Sequence, residues 1–395
     1  MISDAELERL RATVAGWEKD FLRDLEWLVN VDCGSYTKVG VDEVGAWMGE
    51  RLAELGAKVR VQHDVELGDT VVGSFPVTGK GPRVLLVGHL DTVFPAGTVA
   101  ERPFHISDGR AYGPGVTDMK AGLLAGLYAL RALAALGALP FGRLVYIANP
   151  DEEIGSPRSG RVIRGEAEQS DVGLVLECAR ANGDIVSARK GVVDYRIRLH
   201  GRAAHAGVEP ERGRSAVVEA AHKTIALTAL NDRWPGVTVN VGVVNGGTRP
   251  NVVAQEAQMQ VDLRAATRAT LEAAEAELHA ICATSTVPDV VTEVEARARH
   301  WPMEKSVATA QLASGAIELA GRLGFALSDA ATGGASDANT IAGLGVPTLD
   351  GLGPVGGADH SPDEYLELDS IVPRTTLLAA LLLSIGRDDR LAAAR

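Results

Sequence analysis

The pattern of hydrophobic positions predicts helices that alternate with short buried strands through the first half of the chain. Apolar residues recur at helical spacing in residues 4–29, 41–55 and 119–137. Continuous apolar runs at residues 84–87, 144–148 and 172–176 are typical of strands that are buried on both faces. This alternation predicts an α/β domain of three layers around a central mixed sheet.

The pattern changes near residue 190, where apolar and polar residues begin to alternate. Strands are predicted at 192–200, 237–244, 252–264 and 289–298, and helices at 213–230 and 268–284. The order β-α-β-β-α-β is that of the split ferredoxin-like motif. Helical spacing then returns at 308–323 and 377–385, on either side of a glycine-rich stretch. We therefore expect a catalytic domain formed by residues 1–188 and 300–395, interrupted by an α+β domain at 189–299.

Length and charge narrow the class of protein. With 395 residues the chain exceeds the size at which one hydrophobic core usually stops growing, in agreement with two domains. Its net charge of -13 argues against a nucleic-acid-binding surface, which requires a concentrated basic patch. The first residues lack the apolar segment of a signal peptide, and no run approaches the roughly 18 apolar residues of a membrane span. A cytoplasmic enzyme with no membrane partner is the expectation.

The three cysteines indicate neither a disulfide framework nor a thiolate metal site. Cys33, Cys178 and Cys282 are odd in number, widely separated and without a CxxC pair. Any metal site must therefore be built from nitrogen and oxygen ligands.

Polar residues stand where the predicted buried strands end. His89 and Asp91 follow the strand 84–87, and side chains two residues apart in extended chain project to the same side. Open α/β sheets bind their ligands at this end of the strands. Asp91 could ligate a metal or accept the second ring N–H of a ligating His89. The alternative is a strand-end histidine bonded to a local carboxylate.

Further carboxylates repeat this placement. Asp151-Glu152-Glu153 follows the strand 144–148, and Glu177 follows the strand 172–176. Asp118 precedes a predicted helix, where capping the helix is its alternative role, and His360 lies in the glycine-rich stretch. Clustered carboxylates repel one another in a low dielectric, but a divalent cation reverses that balance. Together these residues provide ligands for two zinc ions without sulfur.

Nucleotide binding is a weaker interpretation of the glycines before Asp118. Gly113-Pro114-Gly115 could suggest a phosphate loop, but no Gly-Lys-Ser/Thr follows it. The strand-turn-helix fingerprint of a dinucleotide site is also missing.

Five segments in order resemble the co-catalytic zinc exopeptidases and deacylases, and the resemblance covers nearly the whole chain. The glycines before Asp118 are most similar to the glutamate carboxypeptidase branch of that family. The segments are Gly88-His-Leu-Asp-Thr-Val93, Tyr112-Gly-Pro-Gly-Val-Thr-Asp-Met-Lys120, Asp151-Glu-Glu-Ile-Gly155, His205-Ala-Gly207 and Asp359-His-Ser361.

The resemblance implies a role for each matched residue. Asp118 would bridge two zinc ions, one completed by His89 and Glu177 and the other by Glu153 and His360. Asp91 would orient His89, Glu152 would be the general base, and a cis peptide bond would follow Asp118. Cobalt or manganese can occupy similar sites. Several family members carry Asp in place of Glu177, which also ligates zinc, so this departure concerns the subgroup more than the activity.

The resemblance also implies that the inserted domain is a lid through which two chains form a homodimer. His205 would stabilise the oxyanion formed during hydrolysis. Residues expected to contact the substrate are Arg264, Asn251, Gly333 and Gly334. From the residues alone, the alternatives are a turn histidine, a salt bridge, a turn and a flexible loop.

The expected reaction is hydrolysis of the amide bond of a C-terminal, glutamate-like amino acid in a small N-acyl or peptide substrate. An N-acyl-amino-acid deacylase is the alternative within the same family. A non-catalytic ligand-binding protein is a third possibility, against which the presence of Glu152 and every implied ligand argues.

Overall fold

A computed structural model describes residues 2–77 and 79–388. Helices occupy α1 Asp4–Ala15, α2 Glu18–Val29, α3 Lys38–Glu54, α4 Thr98–Glu101, α5 Ala121–Ala135, α6 Gly160–Ala167, α7 Ala216–Thr228, α8 Arg268–Ala283, α9 Val307–Leu323, α10 Asp337–Ala342 and α11 Ile371–Gly386. Strands occupy β1 Lys58–Gln62, β2 Thr70–Ser74, β3 Arg83–His89, β4 His105–Ser107, β5 Arg110–Tyr112, β6 Arg143–Asn149, β7 Val172–Val175, β8 Ile185–Arg189, β9 Gly191–His200, β10 Thr238–Gly246, β11 Glu256–Ala265, β12 Val291–His300, β13 Asp329–Thr332, β14 Thr348–Leu349, β15 Gly356–Gly357 and β16 Tyr365–Glu367.

The first helical segment differs from its prediction. Residues 4–29 form two helices that are separated at Gly16 and Trp17, rather than one. Glycine is a poor helix former, and the Trp17 ring packs edge-on against Tyr128 with centroids 6.3 Å apart. Tertiary packing therefore outweighs the continuous helical spacing at this point.

Two compact units divide the chain. The first contains the residues up to Ser187, Lys305–Ala331 and those from Ser336 onward. The second contains Ala188–Glu304 together with the short segment Thr332–Ala335. That segment includes Gly333 and Gly334, although the sequence-based boundaries place both glycines in the catalytic part.

The first unit is built on a mixed sheet in the order β1-β2-β6-β3-β7-β14. β6, β3, β7 and β14 run parallel, whereas β1 and β2 are antiparallel to their neighbours. The predicted α/β class and central mixed sheet are confirmed. The parallel strands are buried on both faces, which explains their continuous apolar sequences.

Apolar helices complete the core of this unit. α5 and α11 pack against each other, and most residues of both are buried. The stretch Leu368–Gly386 is long and apolar enough to cross a membrane, but 67% of its apolar window is buried inside the protein. Burial of this kind is typical of the core helix of a soluble fold.

The second unit is an antiparallel sheet with two helices. Its strands lie in the order β10-β11-β9-β12, and α7 and α8 pack on them. Along the chain the elements follow as β9-α7-β10-β11-α8-β12, which is the β-α-β-β-α-β order. Alternate residues of β9, namely Val193, Tyr195, Ile197 and Leu199, enter its core. The period-two pattern in this region reflects a sheet with only one face covered.

Candidate metal centre

Three neighbouring parallel strands bring polar residues to one edge of the central sheet. β3 lies between β6 and β7, with Val87 paired to both Ile147 and Val175. The residues at the ends of these strands are therefore neighbours in space: His89 at the end of β3 with Asp91 after it, Glu152 and Glu153 after β6, and Glu177 after β7.

A glycine loop carries Asp118 to the same place. Gly115 has a φ of +73°, and a Cβ atom there would lie 2.5 Å from the Thr92 side chain, so the loop requires glycine. Asp118 has φ -114° and ψ 91°, whereas α5 begins at Ala121 with Lys120 as its N-cap. Asp118 is therefore not a helix cap. The expected cis peptide bond between Asp118 and Met119 is confirmed.

The two carboxylate oxygens of Asp118 face two different histidines. Oδ1 lies 3.2 Å from His89 Nε2, and Oδ2 lies 3.1 Å from His360 Nε2. Glu177 Oε1 is 3.7 Å from the same atom of His89, and Glu153 Oε2 is 3.1 Å from the same atom of His360. The side chains therefore form two groups of three that share Asp118.

These spacings fit divalent cations. Ligands that bind one tetrahedral zinc at about 2 Å lie roughly 3.3 Å apart, close to the separations found here. Glu153 Oε1 is buried without a hydrogen-bond partner, so the site leaves one oxygen unsatisfied. Two overlapping triads, His89-Glu152-Glu177 and His89-Asp118-Glu153, also place one ligand atom from each member within 4.8 Å of one another. They leave out His360, but its 3.1 Å contacts with both Asp118 and Glu153 favour the grouping around Asp118.

The charges of these groups perturb one another strongly. Burial raises the pKa of Glu152 and raises that of Glu177 to about 8. Hydrogen bonds to Asp118 and Glu153 raise the pKa of His360 to about 11. Burial alone would raise the pKa of Asp118, but its hydrogen bonds with the two histidines outweigh burial and lower it. A bound cation would stabilise such a cluster of buried carboxylates in their charged form.

Asp91 joins the histidine to the Glu152 turn. His89 Nδ1 lies 2.9 Å from the backbone carbonyl of Asp91 and 3.4 Å from its carboxylate. That carboxylate accepts the backbone N–H groups of Glu152 at 3.1 Å and of Glu153 at 3.2 Å, and the hydroxyl of Ser35 at 2.6 Å. Asp91 is thus placed to position both the His89 ring and the turn that carries Glu152, rather than His89 alone.

Glu364 belongs to this site, although the sequence analysis did not single it out. Its buried carboxylate accepts the backbone N–H groups of Gly115, Thr117 and Asp118 at 2.8, 2.9 and 3.0 Å. Burial raises its pKa to about 7. The only signal in the sequence was a glutamate four residues after His360, which resembles any exposed loop glutamate. The glycine loop is therefore held by a carboxylate, which excludes the phosphate-loop interpretation.

The remaining predicted residues lie in the second unit. His205 is exposed, its Nδ1 accepts the N–H of Gly207 at 3.1 Å, and the next residue, Ala206, bonds to the carbonyl of Asn251. Arg264 bonds through two nitrogens to the carboxylate of Asp262 and donates to the carbonyl of Gly333 at 2.8 Å.

The carbonyl of Gly334 accepts a hydrogen bond from Arg189 at 3.2 Å. Two arginines therefore hold the Gly333-Gly334 loop. The guanidinium of Arg264 already has a carboxylate partner within its own unit, which is the salt bridge that the sequence left as an alternative.

Comparison with known proteins identifies the class to which this fold and site belong. Residues 85–384 match the model of peptidase family M20/M25/M40, and the chain belongs to that family. It is therefore a metal-dependent peptide hydrolase.

Individual relatives agree with this class. The chain is 29% identical to carboxypeptidase G2 from Pseudomonas sp. (strain RS-16) over 92% of its own length and 89% of that protein. It resembles the structure of aminopeptidase PepT from Bacillus cereus ATCC 10987, with a TM-score of 0.78 and 24% identity over 94% and 99% of the two chains. An M20 family metallo-carboxypeptidase from Sulfolobus solfataricus gives a TM-score of 0.73 at 18% identity over 93% and 99%. The two structural likenesses show the fold.

Proposed function

We propose that the protein is a dinuclear zinc carboxypeptidase that removes a C-terminal, glutamate-like amino acid from a small peptide or N-acyl substrate. The observation that carries the proposal is the placement of Asp118, whose two oxygens face His89 and His360 at 3.2 and 3.1 Å. A carboxylate shared in this way suits two cations, one completed by Glu177 and the other by Glu153. The similarity to carboxypeptidase G2 supports the choice of reaction.

Each residue of the candidate site has its own role in the proposed reaction. When bound, two zinc ions supply a water that is reactive at neutral pH and polarise the scissile carbonyl. Glu152 takes the proton of the attacking water as the C–O bond forms and delivers it to the nitrogen as the C–N bond breaks. Burial raises the pKa of Glu152, which suits a group that must accept and then return a proton. Asp91 holds the turn that carries Glu152 and the ring of His89.

For the second unit we propose the role of a lid and dimerisation domain in a cytoplasmic homodimer. His205 would donate a hydrogen bond to the oxyanion of the tetrahedral state. Its exposed ring supports this role, because Nδ1 accepts the N–H of Gly207 and the proton of the neutral ring then lies on Nε2. Asn251, Arg264, Gly333 and Gly334 are the proposed contacts for the amino-acid part of the substrate.

A substrate panel tests the reaction. The zinc-loaded protein is assayed with the N-acetyl and N-benzoyl derivatives of Glu, Asp, Arg and Ala. Dipeptides that end in each of these four amino acids complete the panel. A carboxypeptidase of the proposed kind cleaves the glutamate derivatives best across different acyl groups. If only acetyl derivatives react and the amino acid matters little, the deacylase alternative is correct. The absence of hydrolysis throughout the panel would contradict both.

A further inference from the structure

The carboxylate of Asp337 is buried against the turn that carries Glu152 and Glu153, and the proposed reaction gives it no role. Asp337 is the first residue of α10, and only 2% of its surface is exposed. Its Oδ1 accepts the hydroxyl of Ser156 at 2.6 Å, and its Oδ2 accepts the side-chain amide of Asn149. Both donors are neutral groups. Because a buried carboxylate is costly unless it is hydrogen-bonded, these two contacts fix the place of Asp337.

Ser156 closes the turn that begins at Asp151. The N–H of Ser156 bonds to the carbonyl of Asp151 at 2.8 Å, and the N–H of Gly155 bonds to the carbonyl of Glu152 at 2.7 Å. Ser156 has a φ of +52°, in the left-handed region that residues other than glycine rarely adopt. The hydrogen bond with Asp337 therefore holds the turn at the residue whose own backbone preference would favour another conformation.

Asn149 connects Asp337 with the beginning of the same turn. Its side-chain nitrogen also donates to the hydroxyl oxygen of Ser159 at 3.3 Å, and that hydroxyl in turn bonds to the carboxylate of Asp151. Asn149, Asp151 and Ser159 are fully buried. Asp337 is thus linked to the end of the turn through Ser156 and to its beginning through Asn149.

Asp91 holds the middle of the turn through the N–H groups of Glu152 and Glu153, as described above. Asp337 is the second carboxylate that fixes this segment, and it acts at the two ends. Burial raises the pKa of Asp337 to about 6, so the group is still ionised at neutral pH. An ionised acceptor forms stronger hydrogen bonds than a neutral one.

We propose that Asp337 is a positioning residue that acts through Ser156 to hold Glu152 and Glu153 in place. This role rests on the proposed function and adds a residue to its site. Displacing a reacting group by about 1 Å can lower a rate about 10²-fold. Loss of residues that orient metal ligands lowers metal affinity or activity about 10- to 100-fold. Removal of Asp337 should therefore affect turnover through Glu152 and zinc binding through Glu153.

Steady-state kinetics with the best substrate of the panel test the effect on turnover. Asp337→Ala is expected to lower kcat about 10- to 100-fold and to leave KM near the wild-type value. Asp337→Asn keeps an acceptor oxygen for the Ser156 hydroxyl and recovers part of the loss. Ser156→Ala also lowers kcat. The double variant Ser156→Ala/Asp337→Ala is no slower than Asp337→Ala alone, because both changes break the same contact.

A role confined to the first turn of α10, where an acidic residue is favourable, is the competing explanation. In that case Asp337→Ala and Ser156→Ala act independently and their effects on kcat multiply in the double variant, which would overturn the inference. Leu319→Ala is the control for lost stability. Leu319 is buried in the core on α9, so its truncation lowers the thermal stability of the same unit and leaves kcat near the wild-type value.

Zinc affinity, measured by competition with a chelator, gives a readout that does not depend on turnover. Asp337→Ala is expected to weaken the binding of one zinc, the one held by Glu153, about tenfold, whereas Leu319→Ala changes neither affinity. Wild-type kcat and zinc affinity in Asp337→Ala would refute the role of Asp337 and leave the proposed function standing. If the wild type cleaves no substrate of the panel, the proposed function fails, and the zinc affinities alone decide whether Asp337 positions the turn.

Discussion

The strand ends of the first unit and the loops of the second unit hold their candidate functional residues in different ways. At the sheet edge, His89 ends a buried strand, Glu153 and Glu177 come after buried strands, and each has an atom within 3.7 Å of another candidate ligand. In the second unit, His205 is exposed and Arg264 is paired with Asp262. The comparison teaches that the strands of the first unit bring the candidate metal ligands together. The candidate substrate contacts of the second unit are exposed or bonded within that unit, and no such cluster of described side chains fixes them.

The largest expected effect concerns the proposed general base at the sheet edge. Glu152→Ala should lower kcat by about 10³-fold or more, because general base catalysis contributes about 10²–10⁴-fold. Zinc content should stay at the wild-type level, since Glu152 is not in the grouping around Asp118. Glu101→Ala, at an exposed helical position, is the matched control and should retain full activity. Wild-type turnover in Glu152→Ala would show that the proton is handled elsewhere.

A second prediction concerns the carboxylate beneath the glycine loop. Glu364→Ala leaves three backbone N–H groups without their acceptor, so zinc affinity should fall about 10- to 100-fold, as when other residues that orient metal ligands are lost. Competition with a chelator measures this affinity. Glu364→Gln keeps one acceptor oxygen and should recover part of the loss. Equal affinity in all three proteins would mean that the loop positions Asp118 unaided.

A third prediction concerns Arg264 in the second unit, which either binds the substrate or serves only a salt bridge. If Arg264 binds the substrate carboxylate, Arg264→Lys should raise KM about tenfold and change kcat little, because lysine cannot form the two-nitrogen contact. If the arginine serves only the salt bridge with Asp262, Asp262→Asn should lower the thermal stability of the unit as much as Arg264→Lys does. Steady-state kinetics and thermal unfolding of both variants separate these roles. A KM unchanged in Arg264→Lys would remove it from the substrate site.

The smallest effect is expected at His200, on the sheet of the second unit. Its Nδ1 lies 2.8 Å from Glu256, and Glu293 is 3.6 Å from its other ring nitrogen, so hydrogen bonding with Glu256 raises the pKa of His200 above its ordinary value. A raised folded-state pKa stabilises the protein below the unfolded pKa near 6.5, and that stability is lost as pH rises through the folded pKa.

His200→Gln should therefore cost less than about 1 kcal/mol at pH 6, as expected for an exposed pair, and nothing at high pH. Denaturant unfolding at several pH values measures this difference. A cost that is the same at every pH would mean that the ring contributes through packing rather than charge.

The sequence was sufficient for the sheet edge because two independent signals coincide there. Each buried strand is a continuous apolar run, and a metal-type residue stands shortly after it, so His89, Glu153 and Glu177 could be placed near one another without a structure. The break at Gly16 was missed because the helical spacing of apolar residues continues across it, whereas the contact of Trp17 with Tyr128 joins residues far apart in the chain. Glu364 was missed because its partners lie about 250 residues away and are backbone groups, which leave no trace in residue type. The Asp262 partner of Arg264 was two residues away, but sequence alone could not decide whether the pair forms.

The central claim is that Asp118 is shared by two metal ions, and metal stoichiometry tests it most directly. The purified protein is loaded with zinc, freed of excess metal and analysed for zinc per chain, beside Asp118→Ala prepared in the same way. Two zinc ions are expected per wild-type chain, with a marked loss from both positions in Asp118→Ala. A wild-type value well below one zinc per chain, or a variant that retains both ions, would contradict it.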